Sequence, residues 1–105
     1  MIYVTTHDIA GKKIVKTLGM VRGNTIRARH VGRDVLAFFK NIVGGEIEDY
    51  TKMMAESREQ SMDRMIQEAK DLGANAIVGV RFSTSEMMQN ASEILVYGTA
   101  VIFED

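Results

Sequence analysis

The sequence predicts an α+β fold: a two-layer subunit in which one long helix packs against a sheet. Three observations predict it. Residues 46–72 set Ile47, Tyr50, Met54, Ser57, Ser61, Met65, Ala69 and Leu72 at steps of three or four, which lines them along one helical face. Gly73 follows as a stop, and Ala76-Ile-Val-Gly-Val-Arg-Phe82 then reads as a buried strand. Residues 94–103 are apolar at nearly every position around Gly98, a second buried strand.

Taken in order, Ile2-Tyr-Val-Thr-Thr6 is a short β-rich run, and residues 7–11 form a turn ending in Gly11. Residues 13–29 read as extended, but their faces are mixed. Ile14, Leu18, Met20, Ile26 and Ala28 share one parity, while Val15, Thr17, Val21 and Thr25 share the other. Gly19 and Gly23 predict a bulge or bend within the run, and Gly23-Asn24 could instead close a tight hairpin. Val31, Val35, Phe38, Phe39 and Ile42 fit a short helix over 31–43, ended by Gly44-Gly45. Glu46, Glu48 and Asp49 open the long helix at the positive end of its macrodipole, and Lys70 closes it. Residues 83–92 read as a polar connection.

Two features point beyond a monomer. A helix of about 27 residues spans roughly 40 Å, whereas a compact chain of this length has a radius of gyration of about 13 Å. Furthermore, the last strand is apolar on both faces, with Ile94, Val96, Ala100 and Ile102 on one and Leu95, Tyr97, Val101 and Phe103 on the other. One helix covers one face, so a second subunit is the economical cover for the other.

The 105 residues suit a single domain, 1–105, and 46% apolar with 26% charged residues is ordinary for a soluble globular protein. Cysteine is absent, which removes disulfides, thiolate nucleophiles and thiolate metal sites. With neither a signal-like N-terminus nor an apolar run near the ~20 residues of a membrane span, a cytoplasmic protein is expected. The net charge of −1 hides an asymmetry: residues 1–45 carry eight basic and two acidic side chains, residues 46–105 five and twelve. The two parts are expected to neutralise each other within or between subunits.

Val21-Arg-Gly-Asn-Thr-Ile-Arg-Ala-Arg-His30, Gly32-Arg-Asp34, Asn41-Ile-Val-Gly-Gly-Glu46, Tyr50-Thr51, Arg58-Glu59, Gly73-Ala-Asn-Ala76 and Tyr97-Gly-Thr-Ala-Val101 together resemble the YbjQ-like family. The resemblance spans nearly the whole chain. It implies a dodecin-like β-α-β-β core, one long helix on an antiparallel sheet, assembled as a homopentameric ring. The family carries a heavy-metal-binding label, but the resemblance brings no reaction and no catalytic residue.

Candidate sites are few. A heavy-metal site gathers three or four soft ligands, and here only His7 and His30 offer imidazoles, as weak metal candidates. Met53-Met54, Met62, Met65 and Met87-Met88 offer thioethers, for which core packing is the simpler use. Arg22, Arg27, Arg29, His30 and Arg33 make the densest basic cluster, and Arg27, Arg29, His30 and Arg33 within it are a candidate site for a phosphate or carboxylate ligand. Its alternative use is ion pairing with Glu46, Glu48 or Asp49 across an interface. Nucleic acid would want exposed aromatic platforms beside it, and Phe38 and Phe39 sit at apolar helix positions. Ser57 and Ser61 lie on the helix stripe without a histidine partner and read as small packing residues. No catalytic set and no cofactor motif emerges. The expected function is a self-assembling, ring-forming subunit that binds a small anion or ion at its interfaces, with a purely structural assembly module as the first alternative and a metal-binding protein or an enzyme behind it.

Overall fold

The computed structural model describes residues 1–28, 46–88 and 91–105, with the backbone alone for Ala28 and residues 46–50. The expected short helix over 31–43 lies outside the described residues. Four strands, β1 (Ile2–Tyr3), β2 (Lys13–Ala28), β3 (Ala76–Met88) and β4 (Ala91–Glu104), form one sheet in the order β1-β3-β4-β2. One helix, α1 (Glu46–Asp71), packs on it. This is an α+β fold, and the sheet is mixed rather than purely antiparallel. β2 and β3 both run antiparallel to β4, while β1 lies parallel to β3 with Ile2 opposite Ala76.

α1 covers the sheet with the stripe that its sequence spacing predicts. Ser57, Ser61, Met65 and Ala69 are fully buried, and Met65 and Ala69 join Val21, Ile77, Val80, Val96 and Ala100 in the main core. Leu72 departs from the stripe: it lies one residue past the helix and is 47% exposed. The exit is a Schellman turn. Gly73 N–H bonds Lys70 C=O and Ala74 N–H bonds Ala69 C=O, with Gly73 at φ +87°. Asn75 then clamps the start of β3 to β4, donating from Nδ2 to Phe103 C=O and accepting Phe103 N–H at Oδ1.

β2 is one continuous strand, so the hairpin at Gly23-Asn24 does not form: Gly23 pairs with Val96 and Asn24 with Leu95. Irregularities between Ile14 and Lys16 and between Thr17 and Gly19 rephase it, which explains the mixed faces of its sequence. Leu18 turns to the helix core, whereas Met20 and Ile26 are exposed on the other face. Gly23 is straight for another reason: a Cβ there would sit 2.0 Å from the Ser61 carbonyl oxygen. The strand needs a missing side chain, not a bend.

Two expectations about the last strands are corrected. β3 continues to Met88 instead of ending at Phe82, and β4 begins at Ala91. Ser83 to Met88 are all exposed and are held by the ladder to β4, not by burial. Then, the sheet face away from α1 is partly covered from within the chain. Ile2, Val4, Ile9 and Ile14 pack with Phe103 on Ala76, Val78 and Val101, because residues 4–12 cross from beside β3 to the start of β2. Tyr97 remains open, at 37% exposure.

Candidate functional site

Alternation along β2 sends Val21, Gly23, Thr25 and Arg27 to the α1 side, where they meet the small residues of the helix. Thr25 Oγ1 donates to Ser57 C=O at 3.2 Å and lies 3.0 Å from Ser61 Oγ. Ser61 Oγ in turn donates to Ile94 C=O at 3.2 Å, and Ser57 Oγ to Met53 C=O at 3.0 Å. Thr25, Ser57 and Ser61 are buried, so these bonds satisfy hydroxyls that would otherwise carry an unmet desolvation cost.

Arg27 closes this network at the wet end of β2. Its Nε donates to Ser57 Oγ at 2.7 Å, and its Nη2 donates to Gln60 Oε1. Arg27 is thus pinned to the helix by neutral groups, and among the described residues no carboxylate pairs with it. Arg64 adds a second link between the layers, from Nη1 to Asn24 C=O. Of the sequence-predicted anion cluster, the structure places Arg27; Arg29, His30 and Arg33 lie outside the described residues. The sequence marked Gly23 only as a bend or turn and Thr25 only as one face of an extended run, not as the partners of the helix. Their signal was indirect: two serines four residues apart inside an apolar stripe mark a place where another backbone comes close.

His7 is exposed, and its imidazole stands over the backbone of β3, since a Cβ at Gly79 would come 3.6 Å from its Nδ1. Among the described residues no three His, Cys, Asp or Glu side chains come together in a group able to hold a metal ion. No helix there is long and apolar enough to cross a membrane.

The fold and the site together define a small α+β helix-on-sheet protein whose polar features sit at the helix–strand seam. The chain belongs to the family described as "Putative heavy-metal-binding", whose model matches residues 1–104. It is 62% identical over 104 residues to a UPF0145 protein of Dehalococcoides mccartyi strain 195, covering 99% of this chain and 100% of that one. A UPF0145 protein of Clostridioides difficile strain 630 is 52% identical over 100% of this chain and 94% of its own. One from Methanosarcina acetivorans is 54% identical over 96% and 95%. The fold is similar to the crystal structure of a DUF74-family protein from Pediococcus pentosaceus, with TM-score 0.69 and 17% identity over 99% of this chain and 98% of that one. The heavy-metal description meets a poor donor set in the described residues: no thiolate, one exposed imidazole and no clustered carboxylates.

Proposed function

We propose that this chain is a cytoplasmic, self-assembling subunit of a dodecin-like ring. The observation that carries the reading is the outer edge of β3. β1 and the residues after it bond β3 only as far as Val80, through Gly79 N–H to Thr6 C=O and Val80 N–H to Val4 C=O. From 81 to 88 the outer edge has no strand partner among the described residues, and every residue is exposed. Phe82, 49% exposed, and Met88, 68% exposed, flank it. Proline is absent from the sequence and lysine from this segment, so Arg81, Glu86 and the irregularities in the ladder are what protects the edge against pairing. Among the described residues the outer edge of β2 has no strand partner either, and head-to-tail pairing of two unlike edges forms a ring where the rotation between subunits closes. The number five rests on the resemblance to the YbjQ-like family. Light scattering at micromolar concentration is expected to give a closed oligomer, and Thr84→Lys, charging the edge, to give folded smaller species. An unmodified chain that stays an 11.7 kDa monomer would overturn the reading.

A second reading within this one places a small anion beside Arg27 at a subunit interface. It is favoured by a guanidinium held in place by neutral partners, with its charge uncompensated by any described carboxylate. The reading assigns no reaction and no cofactor. Phosphate is expected to raise the melting temperature through this site and Arg27→Ala to remove that part of the rise. If Arg27→Ala leaves the rise intact and Arg27→Asp breaks the oligomer, Arg27 is an interface residue only.

A further inference from the structure

We propose that Arg64 is a latch on the outer edge of β2, and that this edge pairs with a second copy of the chain only when the latch lets go. α1 lies so close above β2 that a Cβ at Gly23 would meet Arg64 Cβ at 2.9 Å. The stripe Ser57, Ser61, Met65 and Ala69 faces the sheet, which sets the two flanks of the helix on opposite sides of it. Met62 and Ile66, on one flank, pack on the core that includes Val80 of β3. Gln60 and Arg64, on the other, overhang the side of β2 that has no strand partner among the described residues. From there Arg64 donates Nη1 to Asn24 C=O. Both residues and the bond between them are exposed, so this carbonyl points out of the sheet and not at β4.

An outward carbonyl on an edge strand is the group that an incoming strand bonds, because added strands are held by main-chain hydrogen bonds along the edge. With Arg64 in place, an incoming N–H finds the Asn24 carbonyl taken by a charged donor and a long side chain across its path. The contact is selective. Glu68 stands one turn on, at the spacing of a helical ion pair, yet among the described residues Arg64 forms no ion pair. Its charge is directed to the backbone of β2 instead. Three residues further along the strand, Arg27 bonds Ser57 Oγ and Gln60 Oε1, so the helix grips β2 at both Asn24 and Arg27. The occupant is the 81–88 edge of a second copy, and this part rests on the assembly reading above. That edge belongs to the same sheet and has no strand partner among the described residues. One edge open and one latched gives pairing an order: the open edge arrives, displaces the guanidinium and takes the carbonyl. Glu68 is then within reach of the freed arginine.

The test uses the full chain. Sedimentation over a concentration series gives the concentration at which the assembly dissociates, and a denaturant midpoint shows that each variant is folded. Arg64→Ala removes the latch and is expected to lower the dissociation concentration roughly tenfold, the size of one charge-assisted bond to a carbonyl. Asp63→Asn, on the solvent side of α1, is expected to change nothing. Adding Thr84→Lys to Arg64→Ala is expected to cancel the gain, because the incoming edge is then charged. The latch is read separately from the ring. Should the unmodified chain prove monomeric, the assembly reading falls, while Arg64→Ala is still expected to associate at concentrations where the unmodified chain does not. An Arg64→Ala chain that associates no more tightly than the unmodified one, or a gain matched by Asp63→Asn, would overturn the latch. A gain that survives Thr84→Lys would overturn the β3 edge as its occupant.

Discussion

At Gly23 the main chain of β2 passes so close to α1 that no side chain fits between them. A methyl group there would meet Ser61 C=O at 2.0 Å and Met65 N at 2.6 Å, both backbone atoms that cannot rotate away. Gly23→Ala is therefore expected to cost about 3 kcal/mol or more, at the upper end of overpacking penalties, read as a lowered denaturant midpoint. Thr25→Val tests the neighbouring network. It removes the hydroxyl that bonds Ser57 C=O and faces Ser61 Oγ, and is expected to cost roughly 1–3 kcal/mol. At this scale the sequence was half legible. Ser57 and Ser61 stood out because small polar residues interrupt an apolar stripe. The partners of Thr25 did not, because they are set by a strand register that two irregularities in β2 shift.

Among the elements, α1 was the most legible, since a 3.6-residue period sustained over seven turns has few competing readings. Its end depends on a backbone conformation: Gly73→Ala meets no steric obstacle but must adopt φ +87°, so a loss of about 1 kcal/mol is expected in thermal unfolding. β3 was less legible. Its first half is apolar and announces itself, but residues 83–86, Ser-Thr-Ser-Glu, carry the polarity of a loop. They are strand because β4 offers a ladder from Ala91 onwards, and pairing does not require burial. Hydrogen exchange is expected to register this: amides on the outer edge of 81–88 exchange fast in dissociated protein and slowly in the assembled state.

The described part of the subunit is long and thin. Its described residues extend 55 × 21 × 17 Å with a radius of gyration of 17.6 Å, against about 13 Å for a compact chain of this size. Such a shape exposes more surface per residue than a sphere, and association is the direct way to recover it. The melting temperature is accordingly expected to rise with protein concentration, which a monomer would not show. By contrast, the exposed Lys12–Asp105 ion pair is expected to contribute less than about 1 kcal/mol, so Asp105→Asn should leave the melting temperature nearly unchanged. The elongation was legible in the length of α1. The self-cover of the second sheet face was not, because a short N-terminal run gives no sign that it will cross beneath Val78 and Val101.

The strand order has a consequence for how the chain is made. β4 is the last strand of the sheet in sequence, yet it lies between β3 and β2 and carries both ladders. Lys13 waits for Glu104, and Ala28 for Ala91. During synthesis α1 can coil as it emerges, but its buried stripe has no complete surface to lie on until β4 has left the ribosome. Folding is thus expected to wait until β4 has emerged and to be governed by distant pairing. Nascent chains stalled before Ala91 should remain protease-sensitive along β2, and become resistant together once Glu104 has emerged.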